Sequence, residues 1–487
     1  MKKLDKSYIH ILIGLAIMFA FRMIPVGTLP AVTDVGLQVL GIFIGTIYLW
    51  TTIDPLTSSL ISLIMICLSD FGAAGAVLQQ AFGNPVVVQM FFLMVFMQGL
   101  TDRKLTVYIA RWIMTRKFIE GKPWMFTFAM LFGTYIMSVF IGAFAPIFLF
   151  WPVLYGVFAD VGYKPGDKYP TIMLIAIVIA ALLGFPVPPY MSNGLALLGN
   201  FRGLLANFPA LAGTTISNAS YFLACIINGA VEVLLVVGVM KFILKPDVEP
   251  LKEVTIEKLN KNPLPPMNQG QKIYFGFLIA FVVCMLFPSL LPTWPILSFL
   301  NTNSFVVGII LVTIGLAIKV EDGPVLNIGR VMGSLSWPTY YLCLVAVLIG
   351  SVLTNASTGI TPFLNTILSP IFKGMGGGVF AIVLVVATVL LTNISNSLVI
   401  GMILQPVVLT YCATAGVNPA PLITLLIFTV LSTAACTPAA SPFAAMLFGN
   451  KQWLATKDVY KYSCTIVAIE MAYMLTAGLA IINLFVK

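Results

Sequence analysis

Charge is what this sequence has least of. Its 487 residues include 26 Lys and Arg and 17 Asp and Glu, so only 9% of the chain is charged. A water-soluble domain carries charge on about a quarter of its residues, which excludes a soluble globular protein. Disorder is excluded as well, because it goes with low hydrophobicity and 60% of this chain is hydrophobic. Histidine occurs once, as His10, a poor position for a general base. The seven cysteines have no Cys-x-x-Cys spacing and lie in or beside apolar runs, which predicts buried thiols, with no disulfide or metal site. A Gly-x-x-x-x-Gly-Lys-Ser/Thr loop is missing, and so is a sizeable soluble segment, which argues against an ATP-driven pump. A membrane-embedded enzyme would need paired acids in one span, a His/Glu metal set or a nucleophile with its base, and these are missing too. The net charge of +9 sits between apolar runs, a placement that suits membrane topology and not nucleic-acid binding.

What is present is a series of long apolar stretches. Lys122 to Asp160, Lys168 to Arg202, Lys272 to Lys319 and Lys373 to Lys451 enclose no charge. A helical span needs about 20 apolar residues, so each run holds one crossing or more. Polar residues do not alternate with period two, which argues for helices and against a barrel. The expected fold is an all-α polytopic membrane protein with about eleven spans, near 8–25, 36–52, 56–72, 86–101, 170–201, 216–243, 273–292, 303–318, 337–354, 420–448 and 463–485. The first of them, with no cleavage site behind Ile11–Phe21, reads as a retained helix. Segments 124–158 and 376–412 are too long for one span and break near their middles, which reads as two re-entrant hairpins. With the N-terminus in the cytoplasm, Arg22, Arg202, Lys373 and Lys487 fall outside a cell membrane and all other basic residues inside, as the positive-inside rule requires. Residues 244–272 form a charged, proline-containing cytoplasmic linker between an N-terminal half, 1–243, and a C-terminal half, 273–487. Arg103 to Lys122 fits an interfacial helix or a solvated loop equally well.

The two halves repeat. Phe140-Ile141-Gly142-Ala143-Phe144 in the first hairpin runs on to Trp151-Pro152, and Ile394-Ser395-Asn396-Ser397 in the second runs on to Gln405-Pro406. Gly142 and Asn396 are 254 apart, as are Pro152 and Pro406. Each hairpin is followed by a proline-interrupted helix: Gly184-Phe185-Pro186-Val187-Pro188-Pro189 within 170–203, and Thr437-Pro438-Ala439-Ala440-Ser441-Pro442 within 420–448. These end in Leu198-Gly199-Asn200 and Phe448-Gly449-Asn450, 250 apart. The hairpins open to opposite sides, so the repeat is inverted, a common plan for secondary transporters. Proline frees backbone N–H and C=O groups that lipid cannot satisfy, so two breaks and two tips predict one central polar site. Helix N-termini aimed at it would favour an anion.

Ser395-Asn396-Ser397 with Pro406, and Thr437 to Pro442 running on to Phe448-Gly449-Asn450, resemble the divalent anion/sodium symporter family of the ion transporter superfamily. That family carries Ser-Asn-Thr motifs at two hairpin tips, each followed by a broken helix with a Thr-Pro-x-x-x-Pro-type loop. The resemblance covers nearly the whole chain in topology, with matching motifs in the second half. It implies a homodimer in which scaffold helices (8–101 and 273–354) hold a moving transport domain (the hairpins, the broken helices and helices 216–243 and 463–485). It also implies a di- or tricarboxylate or sulfate carried by an elevator motion, with no cofactor beyond a coupling sodium ion or proton. Carried over, substrate falls to Ser395, Asn396, Ser397, Thr437 and Ser441, and sodium to Asn393, Ser395, Asn396 and Thr437.

The first tip departs from the pattern. Ile141-Gly142-Ala143 has no side-chain oxygen or amide, and its partner loop has none of note until Ser192 and Asn193. A hard cation needs several oxygen ligands, so the sodium site of this half is expected to be weak or lost. Gly142, Ala143, Ser192 and Asn193 complete the expected substrate site, and a smaller or more apolar anion, or a lopsided dicarboxylate, becomes admissible. A channel is the alternative to a carrier. Glu232 and Glu470 lie inside corresponding spans of the two halves. An intramembrane carboxylate is costly: these two are candidates either for taking a proton in place of the lost sodium or for fixing helix packing.

Overall fold

A computed structural model describes residues 6–255, 264–290, 294–303, 305–320, 323–353, 355–372 and 374–487. Glu257, Lys258 and Lys261 of the linker, and Lys373, lie outside this set. Helices dominate, and among the described residues the strands are the two-residue pair Lys319–Val320 and Gly323–Pro324. Among the described residues seven helices are long and apolar enough to cross a membrane, and shorter apolar helices accompany them. The chain is a multi-pass helical membrane protein. Helix starts follow local chemistry: Asp54 accepts the Thr57 N–H at 2.8 Å ahead of Pro55, and Asn84 accepts the Val86 N–H at 2.9 Å ahead of Pro85. His10 meets the Tyr48 hydroxyl at 2.8 Å and packs one helix on the next.

Both long segments fold back on themselves. Pro123–Ile141 turns at Gly142–Ala143 into Phe144–Asp160, and Gly377–Thr392 turns at residues 393–396 into Ser397–Ala415. Gly142 sits at φ +92°, a conformation that glycine adopts without strain and that lets two residues reverse the chain. Both proline-containing segments break as the sequence predicts, between Lys168–Gly184 and Ser192–Leu205 and between Ala420–Ser432 and Pro442–Gly449. Side chains satisfy the carbonyls that the breaks release: Tyr221 donates to Pro186 O at 2.9 Å and Ser441 to Ala434 O at 2.7 Å. The first arms of the broken helices, 168–184 and 420–432, pack against each other and are almost wholly buried. Around them gather the hairpins and the helices carrying Glu232 and Glu470, while Asp34–Thr52, Pro55–Cys67, Pro85–Asp102, Phe305–Ala317 and Trp337–Leu353 pack together as a second group.

Some elements carry no simple span signal. Ile360–Phe372, interrupted by Pro362 and Pro370, is helical and packs on the second arm of the second hairpin. Part of Arg103 to Lys122 is indeed a helix, Leu105–Met114, with the Arg116 guanidinium stacked 3.9 Å from the ring of exposed Trp112.

The two Gly-Asn endings lock each broken helix to the opposite hairpin. Asn200 Nδ2 donates to Gln405 Oε1 at 2.7 Å, and Gln405 Nε2 donates to Leu197 O at 2.9 Å. Asn450 Nδ2 correspondingly donates to the Tyr155 hydroxyl at 2.8 Å. Asn200 and Gln405 are both buried. Asn200→Ala therefore strands a buried acceptor and is expected to cost about 1–2 kcal/mol. Asn450→Ala, at a partly buried bond, is expected to cost less. Thermal unfolding in detergent checks the ranking, and equal midpoints for the two variants would contradict it.

Candidate functional site

Both tips and both breaks meet in one cavity of about 460 Å³. The first hairpin contributes Ile141 to Ala145, and the second contributes Asn396, Ser397 and Leu398. From the breaks come Phe185, Met191 and Asn193 on one side and Ser441, Pro442 and Phe443 on the other. The remaining wall belongs to the second helical group, through residues such as Met90, Met94, Gln98, Thr101, Ser336 and Thr339. Among the described residues, no Lys, Arg, His, Asp or Glu lines it.

Four helices of the hairpin-and-break group begin at this cavity: Phe144–Asp160, Ser192–Leu205, Ser397–Ala415 and Pro442–Gly449 each present a first-turn residue to it, and so do Pro55–Cys67 and Trp337–Leu353 from the opposite wall. A helix N-terminus carries unsatisfied N–H groups and about half a positive charge. Four of them around an uncharged cavity make it electropositive without a cationic side chain, and N–H groups can there bind an oxyanion directly.

The two ends of the cavity differ in chemistry. At the second tip, Asn393 acts as a clasp. Its Nδ2 donates to Val389 O at 2.8 Å and to Thr433 O at 3.0 Å, and its Oδ1 accepts the Cys436 N–H at 2.8 Å. Thr437 Oγ1 donates to Asn393 O at 2.5 Å, and the Ser397 N–H reaches Ala440 O at 3.3 Å. Tip and break are thus one unit. Asn396 Oδ1 caps its helix by accepting the Leu398 N–H at 3.0 Å, and the cap does not use its Nδ2. Ser441 caps the other helix, accepting the Ala444 N–H at 3.1 Å. The first tip instead meets rings: Phe144 and Phe443 have centroids 4.4 Å apart, and Phe185 and Phe443 5.2 Å.

Of the residues expected at the site, Gly142, Ala143, Asn193, Asn396, Ser397 and Ser441 line this cavity. Asn393 and Thr437 stand behind it and hold its shape, and Ser395 is buried with an unpartnered Oγ. Ser192 begins its helix, and its side chain lies outside the described set. Glu232 and Glu470 do not line the cavity and lie deep among the helices behind it. The sequence reading missed the wall opposite the tips. Met90, Met94 and Met97, on a helix whose apolar sequence suits lipid or core, face the cavity. Gln98 and Thr101, three residues apart and hence on one helix face, were the available signal.

The fold is that of a known transporter. The crystal structure of the YdaH transporter from Alcanivorax borkumensis, described as having an unusual topology, superposes with a TM-score of 0.60 over 84% of this chain and 88% of that one. Sequence identity is 14%, so what the two chains share is the fold. No family model matches this sequence, and no curated protein matches it.

Proposed function

We propose that this chain is a secondary transporter of small organic anions, working in a cell membrane with its N-terminus in the cytoplasm. The observation that carries the reading is the convergence of four helix N-termini on one cavity free of charged side chains. Such a cavity attracts a carboxylate yet holds it weakly enough to release it, which a carrier requires. The similarity in fold to a transporter agrees with this.

The substrate carboxylate sits at the Asn396, Ser397 and Ser441 end, where the Asn396 amide is free to donate and two helix N-termini supply positive potential. Phe144, Phe185 and Phe443 at the other end suit an apolar remainder. The best fit is a lopsided di- or tricarboxylate or a monocarboxylate, and inorganic sulfate is the weaker alternative. Movement follows the elevator scheme: the two-hairpin group slides as a body against the helices around Pro85–Asp102 and Trp337–Leu353, in a homodimer of the divalent anion/sodium symporter type. Sodium coupling is weak, since Gly142 and Ala143 offer no side-chain oxygen and the second tip adds only the hydroxyls of Ser395 and Ser397 beside the Asn396 amide.

Purified protein in liposomes loaded with succinate is expected to show saturable counterflow of labelled succinate, little changed when sodium is replaced by choline. Non-saturable flux without counterflow would indicate a channel. If succinate fails and an aromatic monocarboxylate exchanges, the altered first tip sets the substrate. The absence of exchange with every organic anion and with sulfate would sink the proposal.

A further inference from the structure

The tertiary structure brings together two residues that lie far apart in the chain. Glu232 lies on Asn218–Gly238 and Glu470 on Thr456–Tyr473, the helices that follow the two broken helices. Each helix runs on into a π-turn, Val239–Leu244 and Met474–Gly478. They are stitched face to face. Asn228, one turn before Glu232, donates to Gly478 O at 3.4 Å and accepts the Tyr473 hydroxyl at 2.8 Å. Tyr473 in turn follows Glu470 by three residues. Asn228 and Tyr473 share helix faces with Glu232 and Glu470, so the two carboxyls come within electrostatic reach of each other.

Neither carboxyl has a partner. Glu232 is 0% and Glu470 2% exposed, and all four oxygens lack a hydrogen bond. Two adjacent carboxylates in a dry membrane interior repel each other and lose all hydration, so at least one must be neutralised. Among the described residues, no cationic side chain acts on either. The titratable neighbours are Tyr135 from the first hairpin, whose hydroxyl is committed to Ile226 O at 2.6 Å, Tyr473, and Cys436, which interacts with Glu470 and with Cys464. Of the other packed helices, Lys168–Gly184 carries Lys168 and Tyr169, and Gln269–Leu290 carries Lys272, Tyr274 and Cys284, none of which acts on the pair. Gly377–Thr392, Ala420–Ser432 and Leu479–Phe485 bring no titratable group.

We infer that Glu232 and Glu470 form a single proton-binding site at the crossing of the two helices, and that this site couples transport to protons. It rests on the carrier reading for the coupling, although not for the proton itself. The pair alternates between a fully protonated state and one in which only one of the two carboxyls carries a proton. Only an O–H bond forms and breaks, and the proton is exchanged with water on the side that the transport group faces. Cys436 lies within electrostatic reach of Glu470, and its backbone N–H is held by Asn393 behind the second tip.

Infrared difference spectroscopy on the purified protein tests the proton without any substrate. A carbonyl stretch of protonated carboxylic acid is expected, weakening as pH rises, reduced in Glu232→Gln or Glu470→Gln and gone in the double variant. Single variants suffice if the double variant does not fold, as judged by its thermal midpoint. In proteoliposomes, one proton per cycle changes succinate accumulation by about tenfold per unit of imposed pH difference. The Gln variants are expected to lose that dependence, and comparison with them removes the effect of succinate's own ionisation. A pH-insensitive band, or pH-driven accumulation that survives in both Gln variants, overturns the inference and leaves the pair a packing element. A titrating band with no anion exchange upholds the proton site and sinks the carrier reading instead.

Discussion

Asn393→Ala unfastens the second tip and is expected to be the most damaging substitution at the site. The buried amide makes three hydrogen bonds, to Val389 O, Thr433 O and the Cys436 N–H. Two of these span from the hairpin to the break, so truncation leaves the buried Cys436 N–H without a partner and takes from Thr433 O one of its two donors, the other being the Ala435 N–H at 2.9 Å. At roughly 0.6–1 kcal/mol for each bond within a membrane, the loss is about 2–3 kcal/mol. The consequence is specific as well as energetic: Thr437 and the Ser397–Ala440 contact are registered by the same clasp, so the two helix N-termini at this end lose their common aim. Unfolding in detergent should shift to clearly lower temperature, and anion counterflow should vanish. Asn393→Asp keeps the Cys436 bond but not the two donated ones and should fall between. An unchanged midpoint for Asn393→Ala would show that the clasp does not hold the tip.

Asn396→Ala is expected to act on function with a far smaller effect on stability. Its Oδ1 caps Ser397–Ala415, and losing a cap costs about 1 kcal/mol. Its Nδ2 remains for substrate, and a hydrogen bond to a charged group is worth about 1.5–3 kcal/mol. Together these predict a 10- to 100-fold fall in apparent affinity for the anion, with the thermal midpoint only slightly reduced. Asn396→Asp preserves the cap and places a negative charge before an anion, so it should transport no better than the alanine variant although it is more stable. Were Asn396→Asp to transport normally, the carboxylate would have to bind elsewhere in the cavity.

The alanine and aspartate variants at these neighbouring asparagines separate two roles that the sequence presents as one motif. Asn393 and Asn396 are three residues apart at one tip, and either reads equally well as ligand or scaffold. The structure divides them because Asn393 is turned inward against the break while Asn396 opens onto the cavity. The same division applies to Thr437, which serves the clasp, and Ser441, which lines the cavity while capping its helix.

The sequence by itself determined the solvent, the helical class and the places where helices break. These follow from local chemistry: charge is excluded from lipid, Pro186 to Pro189 and Pro438 to Pro442 cannot continue a helix, and Gly142 can adopt the positive φ of a two-residue turn. The recurrence of tips, prolines and Gly-Asn endings at nearly constant offset was legible for the same reason. Only the tertiary structure decided what those breaks enclose. Met90, Met94 and Met97 look like any apolar helix face until the opposite wall is in place, since periodicity tells which residues share a face and not what that face meets. Glu232 and Glu470 are 238 residues apart, and nothing local relates them. Their meeting depends on the crossing of two helices pinned by Asn228, Tyr473 and Gly478, a long-range arrangement that packing alone specifies.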